Sequence, residues 1–518
     1  MSLLDWRHIL TRFPNWGRGV EPTNESDKAA RSLLKKHNAL RMRGQYGKAV
    51  SLFREMSHLP APIVLPFRQI AMDAEHLGKE RTFRAALLKG YRNAKMVEGD
   101  EKLFRVEWKR IAIFHLNAFN IKKAQKIVRR AVNLGIANAD DVAAQIEEIA
   151  VDCETIRSAI HLARLDLKAR VSGEIAPSCS GLVIFLPSSM LALSRPEFRR
   201  NQRWIVKQIL VAAHELNIPF RIAARLAGPG TPTVHQDEVY IAYHTFSAHK
   251  NGLHWKGTER IDQFRIDAHG FAGWSELADA SLSELSLDQI NADEALQFYE
   301  ADRATIIGAN ISKYPQEAIA APSLPERYVF VALQMQNDSV TAHARFSPEE
   351  MIAEIVDACR KSDVQVVVKR HPMCKAKSIS KLLDARQAAG DIVVSTASIH
   401  DLIEGSCAVC TVNSSVGIEA LLHLKPVYLF GHADYHHVCF PILHAKEFEA
   451  KFVPNKLPVS DITIKRFLYH FRSHNILDLK KPETTRRLLR QNISELMKGR
   501  SALVEERADE RDSLARLS

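Results

Sequence analysis

The sequence predicts an α/β protein with two Rossmann-like domains, each a parallel sheet wrapped by helices, preceded by an all-α helical-repeat domain. Three observations carry this expectation. From about Glu25 to Leu167, apolar residues recur with helical periodicity and strand signals are almost absent. From Leu182, short β-branched or aromatic runs alternate with helical stretches. After a proline-rich break from Tyr314 to Pro325, the same alternation starts again. The expected domains are residues 1–170, 181–312 and 326–498.

The first region reads as paired helices. Asn38 to Phe53 looks like a helix, a tight glycine turn and a second helix, and a related pattern returns from Ile113 to Val128. Tyr46 and Phe119 correspond across the two, with a middle copy around Leu77 to Leu88. The pattern resembles a degenerate tetratricopeptide-like solenoid, in which each repeat buries its apolar face against the next. The consensus Trp and Pro positions are mostly missing. A Ser/Gly/Pro-containing stretch from Val171 to Gly181 ends the region.

Beyond it, strands are expected at Leu182–Leu186, Ile218–Ile222, Val239–His244 and Gln263–Ile266, with helices from Glu197 to Leu216 and from Asp293 to about Ile307. After the second linker, strands are expected near 328–334, 364–369, 391–395, 407–412 and 426–430. Runs such as Val364-Gln-Val-Val-Val368 are short, β-branched and bounded by turn formers, the pattern of parallel strands covered on both faces. The stretch after about Met497 is charged and expected to fray.

Composition bounds the function. A chain of 518 residues holds about two to four domains, and 46% hydrophobic with 25% charged residues is the balance of a folded soluble protein. No run approaches the roughly 20 apolar residues that cross a bilayer, and Met1 to Arg7 lacks the apolar segment of a secretory signal. Cytoplasmic residence is the expectation. Seven cysteines do not form a disulfide framework. Cys407 and Cys410 have C-x-x-C spacing but lie inside an apolar strand, where core packing is expected. The net charge of +11 is uneven: residues 1–150 hold 27 Lys plus Arg against 16 Asp plus Glu, and the remainder holds 44 of each. Such a basic region attracts polyanions, whether an acidic glycan, an anionic membrane face or nucleic acid. The alternative is ordinary solvated helix faces.

The chemistry concentrates where three strands of the last region run into polar clusters. Val329–Leu333 runs into Gln334 and Asp338, Val364–Val368 into Lys369-Arg370-His371-Pro372, and Cys407–Val412 into Asn413-Ser414-Ser415-Val-Gly417-Ile-Glu419. In open α/β sheets ligands gather beyond the carboxyl ends of the strands. A cation, a histidine and a hydroxyl-rich helix start there suit a phosphate-bearing ligand. Gly417 would admit close approach. Glu419, four residues after Ser415 on the same helix face, would accept from a ribose diol. His371, held extended by Pro372, would contact the phosphate as hydrogen-bond donor or general acid. Lys369 and Arg370 point to opposite strand faces, so at most one would reach the same ligand. Gln334 and Asp338 either bind ligand or cap the next turn; spacing does not rank the two.

In the preceding region Asp267 ends a strand before His269, two glycines and Trp274, and a carboxylate so placed could be a nucleophile or a base. His244, His249, Lys250, His254 and Lys256 either join that sheet edge or are surface residues. No Walker A loop, G-x-G-x-x-G fingerprint, H-E-x-x-H or G-x-S-x-G elbow falls where a strand–turn–helix requires it. No two-Cys/two-His set has zinc spacing, so no metal site is expected.

The order Leu-Gln-x-x-x-Asp (333–338), Lys-x-His-Pro (369–372) and Thr-x-Asn-Ser-x-x-Gly-x-Glu-Ala-Leu (411–421), followed by Lys425-Pro-Val and Phe430-Gly431, resembles the bacterial capsule polysaccharide biosynthesis family. The resemblance covers roughly residues 180–475. It implies a two-domain GT-B fold and retaining β-Kdo transfer from CMP-Kdo. His371, Ser414, Ser415 and Glu419 would then hold the CMP part of the donor, with Gln334 and Asp338 beside it and Lys369, Asn413 and Gly417 completing the donor-binding set. Asp267 would be the nucleophile, although Asp-x-x-Gly-Phe is looser than the Glu-Asp-Gly-Phe form of some members. No cofactor beyond the donor substrate is implied, and one phosphate neutralised by a histidine and a helix dipole demands no metal. The partners implied are a nucleotide-sugar donor and a glycan or glycolipid acceptor. The basic N-terminal region would offer peripheral contact with the inner membrane or an assembly protein. The alternatives are a GT-B transferase using another nucleotide sugar and a helical-repeat scaffold with an inactive transferase-like domain. A nucleic-acid partner is not expected, because the basic region lacks interleaved aromatics.

Overall fold

The computed structural model describes residues 32–515, except positions 34, 38, 42–44, 58–64, 175–180, 227–229, 248–250, 315, 317–323, 336–337 and 375. Part of the first expected repeat and both His249 and Lys250 lie outside the described residues. The chain divides into two compact units, one formed by residues up to Lys256 together with those from Leu477 onward, the other by Gly257–Ile476.

The first unit begins with helices. Short helices at Tyr46–Ser51 and Phe53–Ser57 precede α1 (Leu65–His76), α2 (Glu80–Gly99), α3 (Glu101–Asn117), α4 (Ile121–Asn133), α5 (Ala139–Asp152) and α6 (Arg157–Ser172). From α1 to α5, each helix packs on the next. Gly90 lets α2 approach α3, because a Cβ there would stand 2.9 Å from the Phe114 ring. Asp100 starts α3 by accepting the Leu103 N–H at 3.0 Å.

The helices continue directly into a sheet made of β1 (Leu182–Pro187), β2 (Phe220–Arg225), β3 (Val239–Tyr243) and β4 (Gly252–Gly257), parallel in the order β4-β3-β1-β2. Helix α6 is stitched to β2. The Asp166 carboxylate accepts the Ala224 N–H at 2.9 Å, and Arg170 donates to the Ala224 carbonyl at 3.0 Å and to Glu75 of α1 at 2.9 Å. Strand β4 was absent from the sequence expectation. Its Gly252 faces the Tyr240 ring, which a Cβ would meet at 2.4 Å. His254, in β4, is 1% exposed and shares a 2.7 Å hydrogen bond with Thr245; His244 is also buried. These two histidines are therefore interior residues and not surface ones. Helix α7 (Pro196–Glu215) packs against α5.

The second unit opens with β5 (Gln263–Asp267) and α8 (Ala292–Ile306). There follow β6 (Tyr328–Ala332), α9 (Pro348–Lys361), β7 (Gln365–Lys369), α10 (Lys377–Ala388) and β8 (Val393–Val394). After these come α11 (Ile399–Glu404), β9 (Ala408–Thr411), α12 (Val416–Leu422), β10 (Val427–Leu429), β11 (Phe440–Pro441) and α13 (Asp461–Ser473). Strands β6 to β11 are parallel in the order β11-β10-β9-β6-β7-β8. The centre of this sheet is sealed: Val329, Phe330 and Val331 of β6 and Val367 and Val368 of β7 are fully buried. Cys410 is fully buried and Cys407 9% exposed, both as free thiols in the core. A capping box at Ser347 and Glu350 fixes the start of α9, an arrangement that contributes about 1 kcal/mol.

From Pro482 the chain forms one long helix, α14 (Pro482–Ala515), which belongs to the first unit. Arg490 reaches Glu215 of α7 at 2.7 Å and Arg486 reaches Gln208 at 3.3 Å. Among the described residues, no helix is long and apolar enough to cross a membrane.

Candidate functional site

The register of the second sheet brings the three polar clusters to one edge. Ala332 pairs with Lys369 on one side and with Thr411 on the other. Neighbouring strands lie about 4.8 Å apart, so the three tips fall within about 10 Å. Gln334, His371 and Asn413 each lie two residues beyond that row, all from within the second unit. Asp267, at the end of β5, lies in the same unit.

Gln334 and Asn413 spend their amides on each other. The Asn413 N–H donates to the Gln334 side-chain oxygen, and the Gln334 amide nitrogen donates to the Asn413 side-chain oxygen, both at 2.8 Å. Asn413 also donates to the carbonyls of Val340 and His432 at 2.9 Å each. One buried amide thus ties the loops after β6, β9 and β10 together. The Lys369 ammonium donates to the Ala397 carbonyl and to Gln316. Arg370 donates to the Ser380 hydroxyl at 2.9 Å and the Ala376 carbonyl at 3.0 Å. Both cations at the end of β7 hold the chain's own loops.

His371 is different. Its Nδ1 accepts the Met373 N–H at 3.1 Å, so the neutral ring carries its proton on Nε2. Burial lowers its pKa to about 4, the Asp338 carboxylate opposing and the Lys313 ammonium reinforcing that shift. At neutral pH it is therefore an uncharged donor. The Tyr314 ring meets it edge-on with centroids 5.0 Å apart.

The start of α12 holds the rest of the set. Ser415 occupies the N-cap position without using its side chain as a cap. The Ser414 carbonyl accepts from the Tyr435 hydroxyl and from the Gly417 N–H at 3.0 Å. Gly417 makes room for Tyr435, whose ring a Cβ would meet at 2.5 Å. The space assigned to a ligand at Gly417 is filled by that tyrosine. Glu419 is 2% exposed, and burial raises its carboxyl to about 7 against the hydrogen bond from Ser312 and the charges of Arg472 and Lys313.

Asp267 is 5% exposed and closes a turn. Its Oδ1 accepts the N–H groups of His269 and Gly270 at 2.8 Å each, and the Glu276 N–H is shared by both oxygens at 3.2 and 3.1 Å. Burial raises its pKa to about 6; the three amides oppose this and the Glu276 charge adds to it. The turn it closes leads to Trp274, whose ring lies 4.2 Å from that of His343 in the loop after β6.

The sequence reading passed over three contributors. Ser312, between the expected helix and the expected linker, and Tyr314, the first residue of that linker, reach Glu419 and His371 respectively. Tyr435 closes on the first turn of α12. None of the three has a periodic signal.

Residues 292–471 match the family model described as "Capsule polysaccharide biosynthesis protein". This segment, about a third of the chain, is similar to that family. The family segment contains every residue of the edge from Ser312 to Tyr435, whereas Asp267 precedes it. The chain is 31% identical over 123 residues to the capsule polysaccharide export protein KpsS of Escherichia coli, covering 22% of this chain and 32% of that protein. The match thus spans about a third of that relative's length. Among solved structures, the chain is similar to the Thermosulfurimonas dismutans KpsC beta Kdo 2,4 transferase, with 13% identity and a TM-score of 0.36 over 60% of this chain and 99% of that one. It is also similar to the KpsC beta Kdo 2,7 transferase of that organism, at 15% identity and a TM-score of 0.33 over 55% and 88% of the two chains.

Proposed function

We propose that the protein is a glycosyltransferase of capsule or surface-polysaccharide assembly, with a GT-B arrangement, that transfers Kdo or a related 2-keto sugar acid from its CMP form with retention. The observation that carries this reading is the strand register that brings the tip carrying His371, with its Nε2–H donor, and the tip carrying Asn413, Ser414 and Ser415 to one edge of the sheet. The match of residues 292–471 to the capsule polysaccharide biosynthesis model supports the polysaccharide context.

In this reading His371 donates to the phosphate of the donor and then to the departing nucleotide, without bringing charge. The serine hydroxyls supply further donors, and Glu419 in its ionised form accepts from the ribose hydroxyls. Retention requires two displacements at the anomeric carbon. The Asp267 carboxylate forms a bond to that carbon as the C–O bond to the phosphate breaks, its electron pair leaving with CMP. The acceptor hydroxyl oxygen then bonds to the same carbon as the ester bond to Asp267 breaks, restoring the carboxylate, and the hydroxyl proton passes to solvent. The acceptor is a glycan or glycolipid, met in the cytoplasm or at the inner membrane, where the basic N-terminal region would dock on an anionic surface.

The test is incubation with CMP-Kdo and candidate acceptors, following CMP release. His371→Ala should lower release on the order of 10²-fold or more with folding intact; unchanged release would remove the site from consideration. Thermal-shift comparison of CMP, UDP and GDP tests the donor independently. Stabilisation by UDP alone would reassign the sugar nucleotide, and indifference to all three would favour a non-catalytic scaffold.

A further inference from the structure

The nucleotide phosphate in the proposed reaction carries a negative charge, yet the two cations next to His371 in sequence are engaged elsewhere. Lys369 holds the Ala397 carbonyl and Gln316, and Arg370 holds Ser380 and Ala376. His371 offers a proton but no charge. A different cation is needed, and the loop after α8 brings one.

That loop is a strap fixed at both ends. Asn310 accepts from the Ser398 hydroxyl at 2.6 Å, and the Ile311 carbonyl bonds to His400 Nε2 at 2.9 Å. At the far end the Gln316 oxygen accepts the Ile399 N–H at 2.9 Å, while its amide nitrogen donates to the Tyr314 carbonyl at 2.8 Å. Between the anchors, the Ser312 side chain hydrogen-bonds to Glu419 and the Tyr314 ring packs edge-on against His371. The residue between those two contacts is Lys313. Both of its neighbours are committed to groups that would face the donor, so its backbone is fixed where the strap crosses between α12 and the end of β7.

We infer that Lys313 is the cation of this site, positioned by the strap so that its ammonium and the His371 Nε2–H together bind the phosphate of a nucleotide. The assignment rests on the nucleotide-sugar reading given above. The electrostatics agree with the geometry: the Lys313 charge acts on both His371 and Glu419, and on the neighbouring Glu259. These two carboxylates give the ammonium counter-charges near the site, from which an incoming phosphate would compete for it. A lysine suits this exchange, being a compact charge on a flexible stem, where an arginine fork would fix one geometry.

Calorimetric titration of the full chain with CMP, cytidine and inorganic phosphate tests this. The wild type should bind CMP more tightly than cytidine. Lys313→Gln should weaken CMP binding by about 10- to 100-fold, the range for one charge-assisted hydrogen bond, and leave cytidine binding unchanged. Lys313→Arg should recover much of the loss. If Lys313→Gln keeps the wild-type ratio of CMP to cytidine affinity, the inference is overturned. It is equally overturned if that variant loses cytidine and CMP in the same proportion, since the strap would then be merely structural. If the wild type binds inorganic phosphate through Lys313 but neither cytidine compound, the CMP donor is wrong and the cation assignment stands. Binding of none of the three would overturn both.

Discussion

Asp267 and His371 occupy comparable places, each at or just past the carboxyl end of a strand and each largely withdrawn from solvent, yet their functional atoms are spent differently. The Asp267 carboxylate takes the N–H groups of His269, Gly270 and Glu276. His371 takes one N–H on Nδ1, and the resulting tautomer fixes its other nitrogen as a donor. A strand-end polar residue first satisfies whatever backbone groups the next turn leaves unpaired. An acceptor-only side chain beside three such amides is absorbed by them, while a two-ended ring can satisfy one and still present the other. The comparison leaves His371 a nitrogen that can still donate and gives Asp267 a structural duty that any catalytic duty must coexist with.

The largest effect that separates these duties is at Asp267. Asp267→Ala leaves three N–H groups unpaired in a buried turn and should cost about 3 kcal/mol or more, read as a lower urea midpoint. Asp267→Asn keeps an acceptor for the amides and should be much milder. If Asp267 is the nucleophile, the Asn variant should nonetheless lose on the order of 10⁴ in transfer rate. A folded Asn variant with near-wild-type turnover would confine Asp267 to holding the turn.

The second comparison is between what could and could not be read from residues alone. Strands β6, β7 and β9 were legible because their β-branched runs are buried on both faces of a parallel sheet, and His371, Ser414 and Glu419 followed from where those runs stop. Strand β4 was not, because Gly252, His254 and Lys256 break its apolar run; its burial depends on the Tyr240 ring covering Gly252. Gly417 was legible as a close approach, but not as one made to Tyr435, since nothing local ties residues 417 and 435. The Gln334–Asn413 lock was invisible for the same reason: an amide at a strand tip reads alike whether it meets a ligand or another amide. Pairing within the chain is decided by register, which the sequence of one strand does not contain.

The lock should therefore behave like core. Asn413→Leu removes the partner of Gln334 and two bonds to loop carbonyls, and should cost about 2–4 kcal/mol in unfolding free energy. Gly417→Ala, a smaller change, sets a methyl against the Tyr435 ring and should cost about 1–3 kcal/mol. A parallel Tyr435→Leu background should relieve most of that, because the Cβ then meets a side chain without a ring. Additive losses in the double variant would show that Gly417 is kept for another reason.

The finest distinction concerns the charge states of His371 and Glu419. His371 has its pKa lowered to about 4 by burial, so the unfolded chain binds the extra proton first, and its contribution to stability falls as pH drops from about 6.5 to 4. Glu419 has its pKa raised to about 7, so the folded chain holds the extra proton, and its contribution is complete below about 4.5 and lost as pH rises through 7. Glu419→Gln should accordingly flatten the decline in stability between pH 5 and 8 while leaving the acid limb in place. Nucleotide binding should move the opposite way in the wild type, strengthening above pH 7 as the carboxylate forms to accept from a ribose, and should lose that rise in Glu419→Gln. A rise that persists in the variant would assign it to another group and leave Glu419 with Ser312 as a purely internal hydrogen bond.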